Sequence, residues 1–129
     1  MASLQRVLYV EDDPDIREIA ELALQDVGGL EVCLCESGRE ALREASAFMP
    51  QLVLLDVMMP EMDGPETLDA LRVQGVVHEH TPVAFVTAKV HPTELSRFAD
   101  IGVTEVISKP FDPMELADEV RSIWSRFHE

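Results

Sequence analysis

Leu52-Val53-Leu54-Leu55-Asp56-Val57-Met58-Met59-Pro60 decides the fold. Four apolar residues run straight into one carboxylate. A short apolar run bounded by turn signals reads as a strand buried on both faces, as in a parallel sheet covered by helices. Pro60 to Gly64 break the chain into a loop, so Asp56 falls at the carboxyl end of the strand. Open parallel sheets bind ligands beyond those ends. Taken alone, Asp56 reads equally well as a helix cap or turn aspartate, and the other strand ends must decide.

Strand and helix signals alternate on either side. Leu4 to Val10 is a first strand. Pro14 suits a first helical position and makes Asp13 the N-cap. Ile16, Ile19, Ala20, Ala23, Leu24 and Val27 then recur at helical spacing until Gly28-Gly29. Leu30 to Cys35 is a second strand. Ser37 with Glu40 fits a capping box for a second helix, which carries Ala41, Leu42, Ala45 and Phe48 and ends at Pro50. After the Asp56 strand, a third helix runs from about Pro65 to Gln74 with Leu68 and Leu71 inward. Pro82 to Thr87 is a fourth strand. Pro92 to Asp100 is a shorter helix whose apolar stripe (Leu95, Phe98, Ala99) is thin. Val103 to Ile107 is a fifth strand. Asp112-Pro113 caps and starts a last helix carrying Leu116, Val120, Ile123, Trp124 and Phe127.

Five strands alternating with five helices predict an α/β fold with a doubly wound parallel sheet. The expectation is a single domain over residues 1–129, with no second, output domain.

The charge balance narrows the partners. Twenty-five acids against ten Lys and Arg give a net charge of −15. Phosphate backbones and anionic membranes select basic surfaces, so neither nucleic acid nor membrane is an expected partner. No apolar run approaches a membrane span, and the first residues lack a signal-peptide pattern. The expected compartment is the cytoplasm. Cys33 and Cys35 share one face of a strand and read as reduced structural thiols; half a metal site is the alternative, but no second Cys pair exists.

Strand one ends at Glu11-Asp12, strand three at Asp56, strand four at Thr87, and Lys109 follows strand five. Sheet order 2-1-3-4-5, the flavodoxin-like order, gathers all of them on one crest. Two carboxylates about 5 Å apart repel by roughly 3 kcal/mol at an effective dielectric near 20. A divalent cation together with Lys109 offsets that, and carboxylate oxygens favour Mg2+ or Mn2+ over soft metals.

Glu11-Asp12 after an apolar strand, the run Leu54 to Gly64, Val86-Thr87-Ala88 and Ser108-Lys109-Pro110-Phe111 together resemble the receiver domain of two-component response regulators, of the stand-alone, chemotaxis-regulator-like kind. The resemblance covers nearly the whole chain. It implies that Asp56 accepts a phosphoryl group from a sensor histidine kinase or a histidine phosphotransfer protein. It implies that Asp12, Asp56 and the Met58 backbone carbonyl ligate Mg2+, with Glu11 acting through a water. Thr87 and Lys109 would contact phosphoryl oxygens, and Met58 and Lys89 would flank the path of a hydrolytic water. The Lys109-Pro110 bond would be cis. On this reading the chain is a phosphorylation switch or relay and not a metabolic enzyme, catalysing only its own phosphorylation and slow dephosphorylation.

Plainer readings exist. Thr87 and Lys109 could be a strand-end threonine and a surface lysine; Asp13 reads as a cap; His78, His80, His91 and His128 read as solvated. The family often places Tyr or Phe three residues before the lysine, where this chain has Val106. Two rivals remain: a Mg2+-dependent phosphohydrolase with Asp56 as nucleophile, and an adaptor that keeps the fold without phosphorylation. The hydrolases commonly carry a second Asp two residues after the first, where Met58 stands here.

Overall fold

The computed structural model describes residues 3–88 and 91–129. In chain order the elements are β1 (Arg6–Val10), α1 (Pro14–Glu21) continued by a π-helical stretch (Leu22–Val27), β2 (Glu31–Cys35), α2 (Gly38–Phe48), β3 (Leu52–Asp56), α3 (Gly64–Val73), β4 (Val83–Thr87), α4 (Pro92–Asp100), β5 (Glu105–Ser108) and α5 (Leu116–Phe127). All strand pairs are parallel, in the order β2-β1-β3-β4-β5. The expected five-stranded, doubly wound, flavodoxin-like sheet with five helices is therefore the fold.

Side-chain alternation along each strand splits the core in two. Val7, Tyr9, Leu52, Leu54, Ala84, Val86 and Ile107 pack against α1 and α5. Leu8, Val10, Val53, Leu55, Val83 and Phe85 face α2, α3 and α4. β3 is buried along its whole length, as a central strand covered on both faces must be.

Local chemistry sets the helix starts. Asp13 accepts from the amides of Asp15 and Ile16 and caps α1. Ser37 accepts from Glu40 N, but Glu40 reaches back to Glu36 N, so the box expected at α2 is only half made. A complete box forms instead at α3, between Asp63 and Glu66. α5 begins later than expected. Asp112 and Pro113 form a preceding turn, with Met114 N donating to Asp112 Oδ1, and the helix proper starts at Leu116.

α4 is held differently from its neighbours. Phe98 is its one fully buried side chain among the described residues, while Leu95 is 46% exposed and Ala99 also faces outward. Phe98 stacks edge-on against Phe85 of β4, with ring centroids 4.8 Å apart. Val106, beside Phe85 in the β4–β5 register, is half-buried and lines a groove of about 290 Å³ between α4 and β5.

Cys33 and Cys35 are unpaired thiols with Sγ atoms 3.9 Å apart, and burial pushes both above the ordinary thiol range. His128 is not solvated as expected. Its ring lies 3.9 Å from that of Trp124 and its Nδ1 is 2.8 Å from Trp124 O, so it closes the end of α5.

Candidate functional site

The order of strands brings the ends of β1, β3 and β4 side by side. Glu11 continues β1 by one residue, its N–H donating to Cys35 O. Asp56 is the last residue of β3 and only 5% exposed; Glu11 is 0% exposed. One carboxylate oxygen each from Glu11, Asp12 and Asp56 lies within 4.8 Å of the others. Lys109, in the loop after β5, places Nζ 2.7 Å from Glu11 Oε1 and 3.2 Å from Asp56 Oδ1.

Glu11 is held from several directions. Its Oε1 accepts from Tyr9 OH at 3.1 Å as well as from Lys109, and its Oε2 accepts from Asp13 N at 3.2 Å. Its backbone carbonyl accepts from Arg17 Nη1 at 2.8 Å. Tyr9 and Arg17 are the members of this constellation that sequence reasoning missed.

These surroundings shift the protonation equilibria. Burial above all pushes Asp56 up to about 7; hydrogen bonding with Glu11 and Asp12 and the charge of Glu11 add to it, and Lys109 opposes it. Burial pulls Lys109 down, but Glu11 and Asp56 outweigh it and leave the ammonium above its ordinary value. Burial and then Glu11 push the Tyr9 phenol up, so the hydroxyl stays a donor.

The loop after Asp56 is folded tightly back. Gly64 N donates to Val57 O, and a Cβ on Gly64 would lie 2.7 Å from Asp56 O. Only glycine permits that approach. Met58 lies on this loop with its side chain 79% exposed, outside the carboxylate cluster. Thr87 is half-buried at the end of β4, and its carbonyl accepts from Lys109 N at 2.8 Å. The Lys109-Pro110 bond is cis. Lys89 lies outside the described residues.

The sequence matches the response regulator receiver domain over residues 7–121. The chain belongs to that family. Among curated relatives, this receiver is 35% identical to the response regulator Rre1 of Synechocystis over 98% of its own length, and 33% identical to the DNA-binding response regulator MtrA of Mycolicibacterium smegmatis over 92%. It covers 54% and 50% of those two proteins, so the chain spans about half the length of the curated relatives it matches. Among solved structures, the chemotaxis protein CheY4 of Vibrio cholerae superposes with a TM-score of 0.85 at 32% identity, covering 94% of this receiver and 99% of that chain.

Three buried or half-buried carboxylates facing one ammonium form a hard, all-oxygen donor set with an excess of negative charge. That set suits a small divalent cation. Among the described residues, no helix is long and apolar enough to cross a membrane.

Proposed function

We propose that the chain is a phosphoacceptor module: Asp56 takes a phosphoryl group from a histidine of a kinase or phosphotransfer protein, and the acyl phosphate changes which partners bind. The observation that carries the reading is Asp56 itself, a nearly buried carboxylate at the end of the central strand, 3.2 Å from Lys109 and clustered with Glu11 and Asp12. A cluster built for packing alone would not crowd three carboxylates at one crest.

Asp12 and Asp56 would hold Mg2+ (or Mn2+) directly, joined by the Met58 carbonyl, with Glu11 close behind. Bound there, the cation supplies positive charge to the crest and to the phosphoryl oxygens. The remaining work falls to the protein. A carboxylate oxygen of Asp56 attacks phosphorus; the O–P bond forms, the N–P bond of the phosphohistidine breaks, and the freed imidazole nitrogen takes up a proton. Lys109 neutralises charge on a phosphoryl oxygen, and Thr87 hydrogen-bonds another. Phosphoryl transfer asks mainly for such positioning and charge neutralisation.

On this reading the chain catalyses only its own phosphorylation and slow dephosphorylation. Its partners through these residues are proteins. The net charge of −15 speaks against nucleic acid or a membrane binding to this module. Free Cys33 and Cys35 suit the reducing cytoplasm.

Incubation with Mg2+ and acetyl phosphate, followed by intact-mass measurement and peptide mapping, tests the reading. One phosphoryl group on Asp56, absent from Asp56→Asn, is the expected result. Steady turnover of phosphomonoesters would move the chain to the hydrolases. No mass change with Mg2+ bound would make it an adaptor.

A further inference from the structure

Tyr9 is completely buried in the layer of core that faces α1 and α5. A phenylalanine would fill the same volume and keep the same apolar contacts. A hydroxyl in such a place needs a partner, because an unpaired buried polar group is strongly disfavoured. Its partner is Glu11 Oε1, 3.1 Å away. The two residues are two apart at the end of β1 and so project to the same side.

Glu11 Oε1 also lies 2.7 Å from Lys109 Nζ, and the same ammonium is 3.2 Å from Asp56 Oδ1. The hydroxyl therefore fixes the oxygen on which Lys109 is anchored, and Lys109 in turn faces Asp56. The other Glu11 oxygen is steadied by Asp13 N at 3.2 Å. Without the Tyr9 donor, a fully buried carboxylate keeps Lys109 as its sole side-chain partner on Oε1 and loses the contact that fixes its rotation relative to Asp12 and Asp56.

We infer that Tyr9 is a positioning residue: through its hydroxyl it sets the Glu11 carboxylate, and through Glu11 it sets Lys109 and the divalent-cation site. The inference rests on the metal-binding part of the reading above.

The test is a double-mutant cycle read in Mg2+ affinity by calorimetry, on the wild type, Tyr9→Phe, Glu11→Asp and the double variant. Outer partners of metal ligands are commonly worth about 10–100-fold in affinity. Tyr9→Phe is expected to weaken Mg2+ binding about ten-fold. In the Glu11→Asp background it should change nothing, since the shorter carboxylate no longer reaches the hydroxyl. Equal affinities for wild type and Tyr9→Phe overturn the inference. So does an equal loss in both backgrounds, which marks a packing effect.

A second measurement needs no variant. Tyr9 is the only tyrosine in the chain, so its ring Cζ resonance is a single NMR signal. It should move during a Mg2+ titration with the calorimetric midpoint; a signal that stays fixed overturns the inference. Acetyl phosphate labelling of the wild type separates the two readings. A ten-fold loss in Tyr9→Phe with Asp56 unlabelled supports the Tyr9 role and removes the phosphoacceptor. Labelled Asp56 with equal affinities does the reverse.

Discussion

Lys109 Nζ stands closer to Glu11 Oε1, at 2.7 Å, than to Asp56 Oδ1, at 3.2 Å. The ammonium thus serves chiefly as the counter-ion of a fully buried glutamate. Removing one partner of a fully buried pair typically costs about 3–5 kcal/mol. Lys109 keeps some solvent contact, so Lys109→Ala should destabilise by about 2–3 kcal/mol at pH 8 without metal. Adding Glu11→Gln should recover part of the loss. Urea unfolding measures both, and an unchanged midpoint in Lys109→Ala would show that the pair contributes nothing.

Asp56 gives a pH dependence of definite sign. Its folded carboxyl lies near 7, above the ordinary 3.8 that it regains on unfolding. The neutral form therefore belongs to the fold. Its stabilising contribution is complete below about pH 4 and is lost as pH rises through 7. The metal-free protein should melt higher at pH 5 than at pH 8, and Asp56→Asn should flatten much of that difference. Mg2+ binding should release a proton at pH 6 but not at pH 9, as calorimetry in buffers of different ionisation enthalpy will show. Proton release independent of pH would contradict the raised carboxyl.

Asp12 is half-buried beside two other carboxylates. Asp12→Ala should abolish Mg2+ binding and phosphorylation while leaving the metal-free melting temperature unchanged or higher, because it relieves like-charge crowding. A clear fall in that temperature would count against Asp12 as a member of the cluster.

The acyl phosphate should be long-lived. Met58, exposed on the loop after Asp56, cannot orient a water usefully, and Lys89, two residues past Thr87 in the sequence, carries a positive charge. Replacing Met58 with Asn and Lys89 with Glu should speed the loss of phosphate several-fold. The idea fails if the double variant holds phosphate longer than the wild type.

Transmission should run through α4. Val106 is short and stiff at χ1, and the groove beside it is unfilled by any large side chain of its own. α4 is anchored mainly by Phe98 on Phe85, and weakly anchored elements shift most readily. Beryllofluoride, a phosphoryl mimic, should change amide hydrogen exchange between Thr87 and Gly102. Phe98→Ala should raise exchange across α4 even without it. Silence over residues 91–100 in both experiments would exclude this route.

Much of this architecture was legible because parallel-sheet strands advertise themselves. The apolar run into Asp56, and the acids or hydroxyl ending the neighbouring strands, mark the crest in the sequence itself. Helix boundaries were less legible where one residue type serves two local structures. Pro113 suits the turn after Asp112 as well as a first helical position, and only packing shows that α5 waits for Leu116. Ile19 and Val27 fit a helical stripe, yet they are 42% and 44% exposed. The wider π-helical stretch from Leu22 turns the end of that helix off an ideal spacing. Tyr9 lies within the expected first strand, Leu4 to Val10, and its residue type alone does not set it apart. Its position two residues before Glu11 was a usable signal, since strand neighbours two apart share a side. Arg17 had no such signal, because its reach to Glu11 O depends on how α1 leans over the sheet.

The main-chain bond from Lys109 N to Thr87 O yokes the tips of β4 and β5. β5 is one of the sheet's two edge strands, with a neighbour on one side only. The two side chains that would grip a phosphoryl group thus hang from a common beam. Anything that drew Thr87 inward would pull on the Lys109 backbone through this bond. On the phosphoacceptor reading proposed above, reception of the signal and its first mechanical displacement would be a single event.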